Sequence, residues 1–499
     1  MVGAGHNSLV AAAYLARAGL NVVVCERRDV PGGATVTEEI APGFRASTAS
    51  YALSLLRPDV YADLDLARHG LKAVPKDPQM FVPLPDGRSF FVWRDLERTI
   101  AELERIHPGD GEAYRFWSAF WEDVVRIMRP VLDSADPVDI ERYLGSLGKP
   151  DIYRWCVRGS ASDIVERFFS APEVQGAFAS QGIVGTWASV RDPGTAWVMT
   201  KHALGGDIYG SSGTWGFAIG GMGAVSGAIA SAAHEAGADI RCDASVTDIL
   251  VDGGRAAGVR LSDGTVVRAT AVLSGADPKA TFLRLCPSGS LDPDFGERVS
   301  SWRTPGCVLK VNLALSELPD FIAAPGAGPQ HHGTVEISPS LDYLHDAHDD
   351  ALNGRPSARP WMEVFVASAV DPTLVDGDGH VVSAFTQYVP PVADDWVAMR
   401  EKAVGNVIDT LASYAPNVPG AIVACEALGP PELEARFGLA GGNIFHGEIL
   451  PEQSFDKRFD YRTPVDGLYL CGSGARPGGC VTGAAGRNAA RTVLADLGR

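Results

Sequence analysis

Gly3-Ala4-Gly5-His6-Asn7-Ser8, almost at the start of the chain, restricts the fold more tightly than any other stretch. The pattern is GxGxx followed by a small residue where a third glycine is usual. The first glycine permits a tight turn, the second lets a pyrophosphate approach the backbone, and the third position lets a helix pack closely on a strand. LVAAAYLARAGL then predicts an apolar, alanine-rich helix, Gly19 a turn, and NVVVCE a short buried strand ending on Glu26. A phosphate would sit at the positive end of the helix that starts near Asn7. Glu26, about 20 residues beyond the glycines, stands where an acidic side chain takes ribose hydroxyls. The stretch predicts a dinucleotide site in a doubly wound α/β sheet. Ser8 is expected to widen the helix–strand contact slightly without removing the site.

Arg27 and then Pro31-Gly32-Gly33 follow Glu26. A double glycine there suits a backbone that passes close to a long cofactor, which favours FAD. A second run of the same form, Gly221-Met222-Gly223-Ala224-Val225-Ser226, reads as the start of a structural helix and not as an NAD site. The chain after it makes hairpins with turns at Gly253-Gly254 and Asp263-Gly264, whereas a mononucleotide half needs β-α-β crossovers. No strand there ends in an acid at the ribose distance.

PLPDGRSFFVW predicts a hairpin about Asp86-Gly87. From about 94 to 205 the chain reads as helices carrying Trp155, Phe168, Phe169, Trp187 and Trp197, as core first and as the wall of an apolar tunnel second. Residues 305–390 read as β-rich, with a polar segment near 325–360 expected as loop. GLYLCGSGARPGGCVTGAAGRNAARTVLADLG predicts strand, glycine loop and helix. Backbone N–H groups at such a helix start can stabilise the charge that develops on a reduced flavin ring.

Together, GAGHNS, CERR with PGGA, GGMGA, SGADP, GGNIFHGE and LYLCGSGARPGGCVTGAAGRNAA resemble the phytoene desaturase-like FAD oxidoreductases, within them the pyridine nucleotide-disulfide oxidoreductase domain-containing protein 2 branch. The resemblance runs over nearly the whole chain and is most specific at the two ends. It implies an α/β fold, a Rossmann-type FAD-binding domain of the glutathione reductase and amine oxidase kind with an inserted α+β substrate domain. Residues 1–75, 206–290 and 436–499 would form the FAD-binding domain. Residues 76–205 and 291–435 would form the substrate domain, helical in its first part and β-rich in its second. FAD would be held non-covalently. By matching position, Gly3, Gly5 and Ser8 flank its pyrophosphate, and Glu26 holds the adenosine ribose with Arg27 beside it. Gly32, Gly33 and Ala34 line the cofactor, and Val246 meets the adenine through its backbone. Gly472, Gly479 and Val481 lie by the pyrophosphate or the isoalloxazine. Cys480 stands where a glycine is usual. The word disulfide in the branch name finds no support, because no two of the eight cysteines have CxxC spacing.

The formal net charge of −18 argues against nucleic acid as a partner and against plain electrostatic docking on an anionic membrane. With no run of about 18 apolar residues, the chain is expected to be cytoplasmic, with peripheral membrane contact left open. No metal-ligand cluster, Ser-His-Asp set or paired-carboxylate motif stands out. In flavin dehydrogenation the cofactor carries the electron chemistry, while the protein supplies position, exclusion of water and sometimes a base. His446, in GGNIFHGE, is the one candidate catalytic side chain, with a structural histidine as the alternative. His6 reads as a cofactor-loop residue, and Arg45 and Tyr51 as candidates for the flavin or substrate cavity. The expected function is dehydrogenation of a small hydrophobic, isoprenoid-like substrate by hydride transfer to flavin, with the final electron acceptor left open. A flavin-dependent isomerase without net redox change and a non-catalytic flavoprotein scaffold are the alternatives.

Only Met1 and Val2 precede Gly3. The strand before such a loop usually has about five residues and is central in a doubly wound sheet. A shortened first strand is therefore expected, either a stub at residues 1–2 or a gap beside Val22–Val24, arising from an internal start codon in the gene model.

Overall fold

The computed structural model describes residues 1–210 and 213–499. Distant segments of chain assemble a parallel sheet. Val23–Cys25 pairs with Asp239–Arg241, and Val272–Ser274 pairs with Leu468–Leu470, both in parallel. Val2 joins the two pairs, bridging Cys25 on one side and Ser274 on the other. Its N–H donates to Leu273 O at 2.9 Å, Gly3 N–H donates to Cys25 O at 2.8 Å, and Cys25 N–H donates to Met1 O at 3.0 Å. The sheet centre is thus held by the expected two-residue stub, and the Met1 amino group reaches Val23 O at 2.6 Å.

Small residues let the helices close on this sheet. Helix His6–Arg17 is buried along Leu9–Ala13 and packs on both Ala484–Asp496 and Met222–Glu235. A β-carbon on Gly486 would stand 2.0 Å from Asn7 O, so this helix pair requires glycine at the crossing. After Met222–Glu235 the chain first adds the parallel strand Asp239–Arg241. Only then does it make the antiparallel hairpins expected immediately, as Val246–Asp252, Arg255–Leu261 and Val266–Arg268.

A second, seven-stranded sheet runs in the order Ile422–Leu428, Val308–Leu315, His380–Gln387, Trp361–Val366, Thr334–Ile337, Met80–Pro83, Ser89–Val92. Its neighbours are antiparallel except Thr334–Ile337 against Met80–Pro83. Val308–Leu315 is buried at every position, as a strand covered on both faces must be. The hairpin expected about Asp86-Gly87 is the edge pair Met80–Pro83 and Ser89–Val92.

The segment expected as loop near 325–360 contains strand Thr334–Ile337, paired on both sides, and helix Leu341–Leu352. Ser340 Oγ caps that helix by accepting Tyr343 N–H at 3.1 Å. Leu341, Tyr343, Leu344, Ala347, His348 and Ala351 form its buried stripe. The aspartates on its outer face masked that stripe in the sequence. The aromatic helices are ordinary core, with Trp117 within 5.5 Å of the rings of Trp121, Phe168, Phe169 and Phe178. Two large cores result, one about the parallel sheet and one between the seven-stranded sheet and the helices. Among the described residues no helix is long and apolar enough to cross a membrane.

Candidate functional site

Both cores contribute walls to one cavity of about 420 Å³. At one end lies the first glycine loop. Gly3 has φ +80°, and β-carbons on Gly3 and Gly5 would meet nothing within 4 Å. The loop therefore presents bare backbone to open space. Gly5 caps helix His6–Arg17 without any side-chain acceptor, which leaves the positive helix end to whatever enters the cavity.

Glu26 ends its strand beside this loop and is buried. Its Oε2 accepts Ala4 N–H at 2.7 Å and its Oε1 accepts Arg28 N–H at 3.0 Å. The carboxylate thus ties the glycine loop to the strand end while still lining the cavity. Arg27 also lines it, but its guanidinium caps helix Pro430–Phe437, donating to Ala435 O at 2.9 Å and Arg436 O at 2.8 Å. Gly32 and Gly33 have φ of +129° and +60°, and a β-carbon on Gly33 would lie 3.2 Å from Gly5 Cα. The double glycine is needed because two glycine turns press together.

Ser8 does not widen the helix–strand contact. Its Oγ fills the space of an absent side chain at Gly275, and it lies 3.7 Å from Cys471 Sγ. Ala34, Val246, Gly472 and Val481 line the cavity as well. Gly479 does not: a β-carbon there would stand 2.7 Å from the Phe445 ring, so it backs the wall. Cys480, which does line the cavity, has φ +62°, the left-handed backbone that favours the glycine it replaces. Arg45 is on the surface, paired with Asp376 at 2.7 Å, and touches no part of the cavity.

His446 and His6 both line the cavity. Burial, with Arg458 nearby, lowers His446 to about 4, and burial, with His446 nearby, lowers His6 to about 4. Both rings are neutral near pH 7, which makes each a weak base. Sequence reasoning missed Asp277, Lys310 and His202. Asp277 is raised to about 6 by burial, and Lys310 is lowered to about 7 by burial. Lys310 Nζ donates to Asn312 Oδ1 at 3.0 Å and to Ser383 Oγ. A lysine inside the apolar run VLKVNLAL was the signal available for it.

The second glycine run does not line that cavity. Met222 N–H donates to Ser47 Oγ at 2.9 Å and Gly223 N–H to Thr37 Oγ1 at 2.9 Å, which fills that helix start with protein. The eight cysteines are all free, and among the described residues no group of His, Cys, Asp and Glu is arranged to hold a metal.

Residues 9–308 match the flavin containing amine oxidoreductase family. The chain belongs to that family. It is 41% identical to pyridine nucleotide-disulfide oxidoreductase domain-containing protein 2 of Mus musculus, over 100% of this chain and 93% of that protein. It is 25% identical to a limonene dehydrogenase chain of Castellaniella defragrans, over 100% and 94% of the two chains. Phytoene desaturase (neurosporene-forming) of Rhodobacter capsulatus is 26% identical, over 96% and 90%. The fold is that of an oxidoreductase from Methanosarcina mazei, with TM-score 0.63, 18% identity and 99% coverage of both chains.

This flavin containing amine oxidoreductase is FAD-dependent, and the cavity suits the cofactor. The bare glycine cradle and uncapped helix start suit a pyrophosphate, and Glu26 lines the same cavity beside them. Four buried polar atoms of wall residues lack a protein partner, His6 Nε2, Asn7 Oδ1, Asp277 Oδ2 and His446 Nδ1, and a polar cofactor would satisfy such atoms.

Proposed function

We propose that the chain dehydrogenates a hydrophobic, isoprenoid-like substrate. One observation carries this reading. The cavity that contains the glycine loop is also walled by Leu55, Val184, Trp215, Val308, Phe385 and Phe445. Such apolar walls in the cavity that holds a dinucleotide cradle suit a substrate whose body is hydrocarbon. Relatives named for limonene and phytoene support the same class.

In this reading residues 1–75, 206–290 and 436–499 hold FAD, and residues 76–205 and 291–435 hold the substrate. Gly3, Gly5 and Ser8 flank the pyrophosphate, Glu26 takes the ribose with Arg27 beside it, and Gly32, Gly33 and Ala34 line the cofactor. Val246 meets the adenine, and Gly472 and Val481 lie nearer the ring. FAD, when bound, accepts two electrons and one hydrogen as hydride. The chain's own residues orient the substrate and exclude water, with His446 as a neutral hydrogen-bonding group.

Anaerobic mixing of the holoenzyme with a panel of terpene hydrocarbons, prenyl alcohols and prenyl aldehydes tests this. At least one should bleach the flavin stoichiometrically. Bleaching by none sinks the dehydrogenase reading, and conversion between geometric isomers without bleaching replaces it with an isomerase.

A further inference from the structure

We propose that the substrate end of the cavity is built for a hydroxyl, so that the compound oxidised is a hydrophobic alcohol and Tyr51 takes its proton. The proposal rests on the dehydrogenase reading above.

Tyr51 lines the cavity with its ring centroid 4.8 Å from that of Phe365 and 5.1 Å from that of Phe385. Its O–H donates to Glu363 Oε2 at 2.6 Å. That bond decides what the phenol can offer. Its single hydrogen is spent, so toward any further partner the oxygen can only accept. The matching group on a substrate is a donor, and on an apolar, isoprenoid-like body the simplest donor is a hydroxyl.

Glu363 is buried on strand Trp361–Val366 and takes a second bond from Gln181 Nε2 at 2.8 Å. Gln181 O in turn meets His202 Nδ1 at 3.0 Å, and His202 is again a cavity wall. The network therefore starts and ends on the cavity. Behind it, Glu336 lies directly opposite Glu363 across the antiparallel pair. Burial and the Glu363 charge push the Glu336 carboxyl well up, so it keeps its proton, and Trp361 Nε1 donates to it at 2.6 Å. Two buried lysines stand nearby, Lys76 with Nζ 4.0 Å from the Phe365 ring centroid and Lys310 with Nζ 5.1 Å from that of Tyr51. Glu363 is thus a buried carboxyl group hydrogen-bonded to a cavity-lining phenol. A buried carboxylate so placed is a proton acceptor reached through Tyr51.

The step balances as an alcohol oxidation. The carbinol C–H bond breaks with its electron pair leaving as hydride to the flavin, which is the oxidant. The O–H bond breaks, its electron pair forms the second C–O bond, and its proton passes to Tyr51 Oη. The proton already on Tyr51 crosses to Glu363 Oε2. The alcohol becomes an aldehyde or ketone, and Glu363 ends as a carboxylic acid. A hydrocarbon would give Tyr51 no hydrogen bond, and a site built to pair a hydroxyl rejects an analogue that lacks it.

The test compares geraniol with geranyl methyl ether on the holoenzyme, reading binding from the flavin absorbance and reduction from anaerobic bleaching. Geraniol should bind about tenfold tighter or more, and Tyr51→Phe should bring the two within about twofold. Glu363→Gln keeps an acceptor for the Tyr51 hydroxyl, so the preference should survive while bleaching by geraniol slows about a hundredfold. Equal binding of the two probes overturns the proposal, as does no measurable binding of geraniol or a preference that survives in Tyr51→Phe. If a terpene hydrocarbon bleaches the flavin and geraniol does not, the dehydrogenase reading stands and the hydroxyl assignment falls. If geraniol shows the preference and no compound bleaches, the proton step falls with the dehydrogenase reading.

Discussion

A β-carbon on Gly275 would stand 1.9 Å from Ser8 Oγ, so the serine that replaces the third loop glycine is accommodated by a glycine on the facing strand end. The pair makes a reciprocal prediction. Gly275→Ala should lower the melting temperature through overpacking worth about 1–3 kcal/mol. Adding Ser8→Gly should recover most of that loss, although glycine inside a helix costs about 0.5–1 kcal/mol itself. Thermal melts of the two single variants and the double variant measure the coupling, and additive losses would show that the two positions do not share the space.

Purified protein should release FAD on acid precipitation as a yellow supernatant, leaving a colourless pellet. The uncapped start of helix His6–Arg17 and the bare Gly3 and Gly5 hold a cofactor through backbone dipoles and not through a bond. Colour retained in the washed pellet would mean a covalent flavin.

Glu26 has two tasks in the structure, and two substitutions separate them. Glu26→Gln keeps one acceptor oxygen for the loop but loses the charge, so FAD should bind at least about tenfold more weakly, since a hydrogen bond to a charged group is worth about 1.5–3 kcal/mol. Glu26→Ala also orphans the N–H groups of Ala4 and Arg28, so the apoprotein should melt earlier too. Isothermal titration with FAD and melting of the apoproteins check both, and an FAD affinity untouched by Glu26→Gln would remove the ribose role.

What the sequence disclosed was local. Gly3 to Glu26 could be read because turn, helix, strand and acid lie within one stretch and each follows from its own residues. The same holds for the hairpin about Asp86-Gly87. Gly479 could not be placed, because its distance from the cavity depends on where Phe445 packs. Arg45 looked available until its partner Asp376 arrived from 331 residues away. Glu363 was invisible as a site residue for a like reason. It meets Tyr51, Gln181 and Glu336 only when the seven-stranded sheet pairs and the helical segment closes over it. The helix Leu341–Leu352 was lost because its outward aspartates outweighed a short apolar stripe.

Gly223→Val should damage folding or flavin retention and leave any affinity for NAD(P)H as it was. A β-carbon at Gly223 would stand 2.6 Å from Thr37 N, and Thr37 Oγ1 already occupies the helix start. Expression yield, flavin content and fluorescence titration with NADPH report the three properties. A well-folded, flavin-loaded variant that has selectively lost NADPH would make this helix start a nucleotide site.

Lys310 gives stability a pH dependence of definite sign. Burial lowers it from 10.5 to about 7 in the folded chain. Below about 7 the folded and unfolded chains both hold the proton, and the full cost of a buried ammonium is present. Between about 7 and 10.5 the unfolded chain holds the proton and the folded chain has shed it. The unfolded state then binds more protons, so stability rises with pH, by about 1.4 kcal/mol per pH unit at most for one such group. Lys76, also lowered by burial to about 7, adds a slope of the same sign. Lys310→Met, which fills similar space without a titrating group, should flatten its share of that slope. Denaturant unfolding of the apoprotein and of Lys310→Met between pH 6.5 and 9, written as the difference between the two at each pH, isolates the lysine from every other titration. That difference should be constant below about pH 7 and should then move in favour of the lysine form as pH rises. A difference independent of pH across the whole range would mean that Lys310 stays charged in the fold, held by Asn312 and Ser383.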